Sequence, residues 1–194
     1  MMKNDLYPVF LKVSKLNVMI IGGGTVGFEK LSFLLKSSPN ANVVVAAKEF
    51  SKDIIALAKV HKIPLMWRPY TSNLLHKQHM VIAATNDLDV NKEIHYDAKQ
   101  KQLLVNVADT PDLCDFYLGG IVTKGNVKVA ISTNGKSPTM AKRLRQFFEE
   151  VIPENVDDLV ENLNIYRRTI KGNFSEKVSR LNKLTQSFIL RTND

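Results

Sequence analysis

Three glycines, Gly22, Gly24 and Gly27, close the stretch LNVMIIGGGTVGFEK between an apolar run and a helix-forming segment that starts near Thr25. In that context each has a job: the first permits a tight turn, the second lets a diphosphate approach the main chain, and the third lets helix and strand pack closely. The helix start then offers N–H groups and a partial positive charge to the phosphates. A dinucleotide is the ligand class this spacing serves. The alternative is a glycine-rich turn that binds nothing.

Other residues with chemistry in them fall at predictable distances. A ribose-binding acid belongs about 20 residues on, at the end of the second strand. The segment VVVAAKEF puts Lys48 there and Glu49 just after it. Glu49 suits a ribose hydroxyl and Lys48 a 2′-phosphate, so the choice between NAD and NADP stays open. In VIAATND, Thr85 ends the fourth strand; it either lines the cofactor crevice or caps the next helix with Asn86 and Asp87. In NVADTPD, Asn106 and Asp109 are expected directly after the fifth strand, at the mouth of the same crevice. A shielded carboxylate there is suited to act as a general base.

Charge points to a second anion site. The chain has 27 basic and 19 acidic residues, a net +8, and from Phe116 to Phe148 no carboxylate occurs. Within that stretch STNGKSPT sets Lys136 in a turn of small residues and Ser137 as an N-cap before Pro138. Substrate carboxylates or phosphates suit such a place; the plain alternative is a solvated basic face. Nucleic acid is disfavoured because Phe116 and Tyr117 are a poor stacking platform.

The elements that must position these groups follow from hydrophobic patterning. Short apolar runs are expected as strands at Asn17 to Ile21, Val43 to Ala47, Leu65 to Trp67, Met80 to Ala84 and Leu103 to Val107, each buried on both faces. Helices begin near Thr25, Ser51 and Val90, the second with Ile54, Ile55, Leu57 and Ala58 near one face. This βαβαβ succession predicts an α/β, Rossmann-type parallel sheet. A hairpin turning at Lys124, Gly125 and Asn126 comes next. A helix with Met140, Leu144, Phe147, Phe148 and Val151 on one face follows it, and then two more amphipathic helices. Their stripes are Val156, Leu159, Val160, Leu163, Tyr166 and Ile170, then Val178, Leu181, Leu184 and Phe188. The predicted segments are 1–112, 113–150 and 151–194, the last helical.

Composition excludes other classes. One cysteine, Cys114, precludes an internal disulfide framework, and no metal site is expected from four scattered histidines, His61, His76, His79 and His95. Apolar runs fall short of a membrane span and no cleavable leader is read at MMKNDLYPVF, so no membrane partner and a cytoplasmic location are expected.

With YPVFLKV, GGGTVGFEK, AATND, NVADTPD and ISTNGKSPTMAKRLR in this order, the chain resembles the precorrin-2 dehydrogenase and sirohydrochlorin ferrochelatase family, the amino-terminal module of siroheme synthases. The resemblance implies NAD-dependent oxidation of precorrin-2 to sirohydrochlorin by a homodimer whose middle segment, 113–150, makes the subunit contacts. In some members ferrous iron is then inserted. It also implies cofactor contacts at Thr25, Val26, Lys48 and Glu49 and a catalytic role for Asp109. With no methyltransferase segment, methylation of the precursor would fall to a separate protein. Two readings compete with it: a non-catalytic NAD-sensing module, for which the Asp109 carboxylate is dispensable, and a basic nucleic-acid binder with salt-dependent affinity.

Overall fold

The structure is a computed structural model that describes residue 4 and residues 6–186 of the chain; Phe188 lies outside the described residues. The chain divides into two compact units, one of residues up to Gly119 with Ser132–Pro138, the other of Gly120–Ile131 with the residues from Thr139 on.

The first unit is a five-stranded parallel sheet. Its strands are β1 (Val18–Ile21), β2 (Val43–Ala47), β3 (Leu65–Trp67), β4 (Met80–Ala83) and β5 (Leu104–Val107), in the order β3-β2-β1-β4-β5. The chain leaves β1 toward β2 and β3, then returns past β1 to build β4 and β5. That reversal opens a crevice outside the carboxyl ends of β1 and β4, where the register pairs Ile21 with Ala83.

Alternation along β1 explains the layers. Val18 and Ile20 join Leu31 and Leu35 of α1 (Thr25–Ser37) and Ile54 of α2 (Lys52–His61) on one face. Met19 and Ile21 join Ile94 and Ala98 of α3 (Leu88–Gln100) on the other. Each fully buried Leu or Ile contributes about 1.5–3 kcal/mol relative to exposure.

Two expectations are corrected. The edge strands are not buried on both faces: β3 leaves Met66 38% and Trp67 60% exposed, and β5 leaves Leu104 42% exposed. Ile55 is 40% exposed while Ile54 and Ala58 are buried, because a ten-residue helix offers the sheet only a narrow face.

The second unit pairs β6 (Gly120–Lys124) and β7 (Val127–Ile131) antiparallel, turning through Gly125 at φ 53°. The Asp157 carboxylate at the start of α5 (Val156–Thr169) accepts hydrogen bonds from the Asn126 backbone N–H at 2.6 Å and the Asn126 side chain at 2.8 Å, so the hairpin tip is tied to that helix. Lys124 forms an ion pair with Glu154 beside it. The last helix, α6 (Phe174–Thr185), opens with a capping box between Asn173 and Glu176. No residue of α4 (Pro138–Val151) is buried, and Met140, Phe147 and Val151 are all more than half exposed. No described helix is long and apolar enough to cross a membrane.

Candidate functional site

The crevice beyond β1 and β4 holds a cavity of about 840 Å³. Its floor is the glycine loop, and the glycines there differ in what demands them. Gly22 sits at φ 138°, and a Cβ on it would fall on the Ala84 carbonyl. A Cβ on Gly27 would strike the Gly22 carbonyl, and one on Gly23 the Glu49 carbonyl. These three are glycines because the protein itself leaves no room.

Gly24 is different. Its φ is an ordinary −91°, and a Cβ would meet nothing within 4 Å. It is the N-cap of α1 without a side chain to cap the helix, and the first turn carries no acidic residue. Open space therefore faces the first-turn N–H groups of Thr25 and Val26, which have no intrahelical acceptor. A diphosphate fits this cradle, and a side chain at 24 would occupy it.

The walls come from several elements. Lys48 and Glu49, both exposed, line the cavity after β2, and Ser51 N–H donates to the Gly23 carbonyl at 2.8 Å to hold that loop on the glycines. Thr85 lines the opposite wall. Of its two expected roles, the helix cap falls to Asp87, whose carboxylate accepts from the Asp89 and Val90 N–H groups at 3.0 and 3.2 Å. Thr85 is instead gripped by Asn91, a 3% exposed residue that sequence reading missed. Asn91 Oδ1 accepts from the Thr85 N–H at 3.2 Å and its hydroxyl at 2.7 Å, while Asn91 Nδ2 donates to the Thr85 carbonyl at 3.1 Å.

Tyr70, also missed, lines the cavity and donates its hydroxyl to Asp97 at 2.7 Å. Burial, and then that hydrogen bond, raise its pKa well above the usual phenol range, so it remains a neutral donor. The only advance signal was its place after β3, at the carboxyl edge of the sheet.

Asp109 is on the same edge but outside the cavity lining. Ala108 N–H donates to the Ala83 carbonyl at 2.9 Å, which draws the end of β5 beside β4, and the exposed Asp109 follows at φ 58°. Asn106 lies inside β5, within the predicted strand bounds, and not beyond the strand at the crevice mouth. It is 6% exposed, and its Nδ2 donates to the Phe116 carbonyl at 2.8 Å, because its position in the strand turns the side chain inward.

In the loop before α4, Asn134 and Gly135 take φ 54° and 72°. The Thr133 hydroxyl accepts from Ser137 N–H at 3.2 Å and donates to the Ser137 carbonyl at 3.1 Å, leaving Lys136 exposed on a self-braced loop. Among the described residues no group of three metal-ligating side chains occurs, and His79 Nδ1 accepts from the Asn17 N–H at 2.9 Å.

Comparison with known proteins matches residues 9–120 to the family "Putative NAD(P)-binding" and residues 124–150 to "Sirohaem biosynthesis protein central". A siroheme synthase of Psychrobacter cryohalolentis is 35% identical over 168 residues, 87% of this chain and 32% of that protein. One of Pseudoalteromonas atlantica is 34% identical over 174 residues, 90% of this chain and 37% of that protein. The chain thus spans about a third of the length of these curated relatives. A solved structure of SirC, precorrin-2 dehydrogenase, superposes with a TM-score of 0.74 over 92% of this chain and 89% of that one, at 22% identity, which establishes the shared fold.

Proposed function

Because this chain belongs to the NAD(P)-binding family and carries the sirohaem biosynthesis central segment, we propose that it oxidises precorrin-2 to sirohydrochlorin with NAD as acceptor. One observation carries the reading: the Gly24 cradle, open to a diphosphate, lies in the same chain as that central segment. The siroheme synthase relatives support the choice of substrate.

The reaction takes two hydrogens from the substrate, one as a hydride and one as a proton, and the proton needs a base. When bound, the dinucleotide supplies the hydride acceptor. The chain's residues do the rest. Thr25 and Val26 would hold the diphosphate at the start of α1, Thr85 would close the wall across from them, and Lys48 and Glu49 would take the adenosine ribose. Asp109 accepts the proton, and its exposed position on a turn lets it meet a large substrate. Lys136 and Ser137 receive the substrate's carboxylate arms. Asn106, with its amide engaged by Phe116, serves the site by holding the chain in place.

The enzyme is read as a homodimer formed through segment 113–150, supported by the uncovered apolar face of α4. The proposal extends to ferrous iron as a second substrate, the two pyrrole N–H protons leaving one at a time to the Asp109 carboxylate and on to solvent as the metal enters. The compartment is the cytoplasm, whose reducing conditions suit the free thiol of Cys114.

The decisive test is NADH formation from precorrin-2 by the parent and by Asp109→Asn. Asparagine tolerates a positive φ better than aspartate, so the variant is expected to keep its fold and its NAD affinity and to lose turnover. Full turnover in Asp109→Asn would remove the base assignment. A chain that binds NAD yet forms no NADH from precorrin-2 would be the sensing module instead.

A further inference from the structure

We infer that Cys114 is the positioning residue of the proton-accepting turn, its thiol clasping the two ends of the segment that carries Asp109. The inference rests on the reading of Asp109 as the base. Thr110 N–H donates to the Val107 carbonyl at 3.2 Å, closing a turn with Ala108 and Asp109 at its centre. Asp109, at φ 58°, occupies the position where such turns place glycine or asparagine. That conformation costs an aspartate some energy, which its surroundings offset.

The sulfur supplies the constraint. Cys114 Sγ lies 3.2 Å from the Val107 carbonyl oxygen and 3.4 Å from the Thr110 carbonyl oxygen, and the Val107 N–H points at it from 3.3 Å. One thiol hydrogen thus serves two carbonyls while the sulfur accepts from the amide. A further donor, Asn106 Nδ2, approaches at 3.4 Å. Both ends of the turn are therefore tied to one atom, and nothing in the clasp touches the dinucleotide cavity.

The chemistry of the thiol agrees with a geometric task. Burial raises its pKa, so it stays protonated, and a neutral half-buried thiol is a poor nucleophile. Sulfur also has the reach to bridge both ends; a serine hydroxyl, on a shorter bond, keeps a donor and an acceptor but serves one end better than the other.

The test measures NADH formation from precorrin-2, the NAD dissociation constant and the pH profile of kcat/KM for the parent, Cys114→Ala, Cys114→Val, Cys114→Ser and Asp109→Asn. In Cys114→Ala and Cys114→Val kcat is expected to fall about ten- to a hundredfold through misplacement of the base. NAD affinity should be unchanged and the acidic limb of the pH profile displaced, with Cys114→Ser regaining much of the rate. If Cys114→Ala does not fold, Cys114→Val, which refills the space, decides. Parental kcat and pH profile in a folded Ala or Val variant would overturn the positioning role. So would an equal loss of NAD affinity, or a failure of both variants to fold, since each marks a general structural requirement. Parental turnover in Asp109→Asn would instead overturn the base reading, so the two failures are told apart.

Discussion

The side-chain amide of Asn91 closes on the Thr85 peptide from both sides, accepting from its N–H at 3.2 Å and donating to its carbonyl at 3.1 Å. A helix residue thereby completes the end of a strand, and it does so at the wall of the cavity. Removing the amide leaves a backbone donor and acceptor without their partner. Asn91→Ala is expected to lower unfolding free energy by about 1–3 kcal/mol. It should also weaken NAD binding, because Thr85 is no longer held. Urea unfolding and calorimetric titration with NAD check the pair of effects; unchanged stability would show that the clamp carries no energy.

The glycine loop separates two kinds of glycine, and single substitutions should separate them in solution. Gly22→Ala places a Cβ on the Ala84 carbonyl at a φ of 138°, so the fold should lose stability. Gly24→Ser adds an N-cap side chain in open space and should leave the melting temperature equal or raised. Its hydroxyl would take the N–H groups meant for the diphosphate, and NAD affinity should fall by about tenfold or more. Undiminished NAD binding by Gly24→Ser would rule out the cradle.

On α4, Phe147 is 52% exposed and Met140 54%, on a helix with no buried residue. An apolar stripe of this kind is expected to be covered by a second copy of the chain. Light scattering should give a dimer mass for the parent and a monomer mass for Phe147→Glu, with the melting of the first unit unaffected. A parent that stays monomeric at high concentration would refute the assembly.

The Cys114 thiol links stability to pH. Its burial is the main cause of the raised pKa, with the Val107 hydrogen bond opposing it, Asp115 adding to it and Lys30 subtracting. In the unfolded chain a thiol loses its proton near pH 8.5, about where an unperturbed cysteine titrates. The folded chain holds the proton longer, so the unfolded state binds fewer protons and stability declines as pH rises above about 8.5, being fully present below it. Cys114→Ser does not titrate there. Unfolding free energy followed from neutral to alkaline pH should show a shallower decline in the variant, and an identical slope would contradict the assignment.

The sequence by itself determined the alternation of strands and helices, the glycine turn at Gly22 to Gly27 and the start of α1 at Thr25. These rest on local periodicity and on turn chemistry within a few residues. It also carried Asp109 and Lys136 as charged groups at the ends of elements. Only the tertiary structure decided that Gly22 faces the Ala84 carbonyl while Gly24 faces open space, since that depends on which strand lies beside β1. The same holds for Tyr70 reaching Asp97, for Asn91 closing on Thr85 and for the turn of Asn106 into the core. Hydrogen-bond partners of buried groups are chosen by packing across the sheet, and a one-dimensional pattern holds no record of that choice.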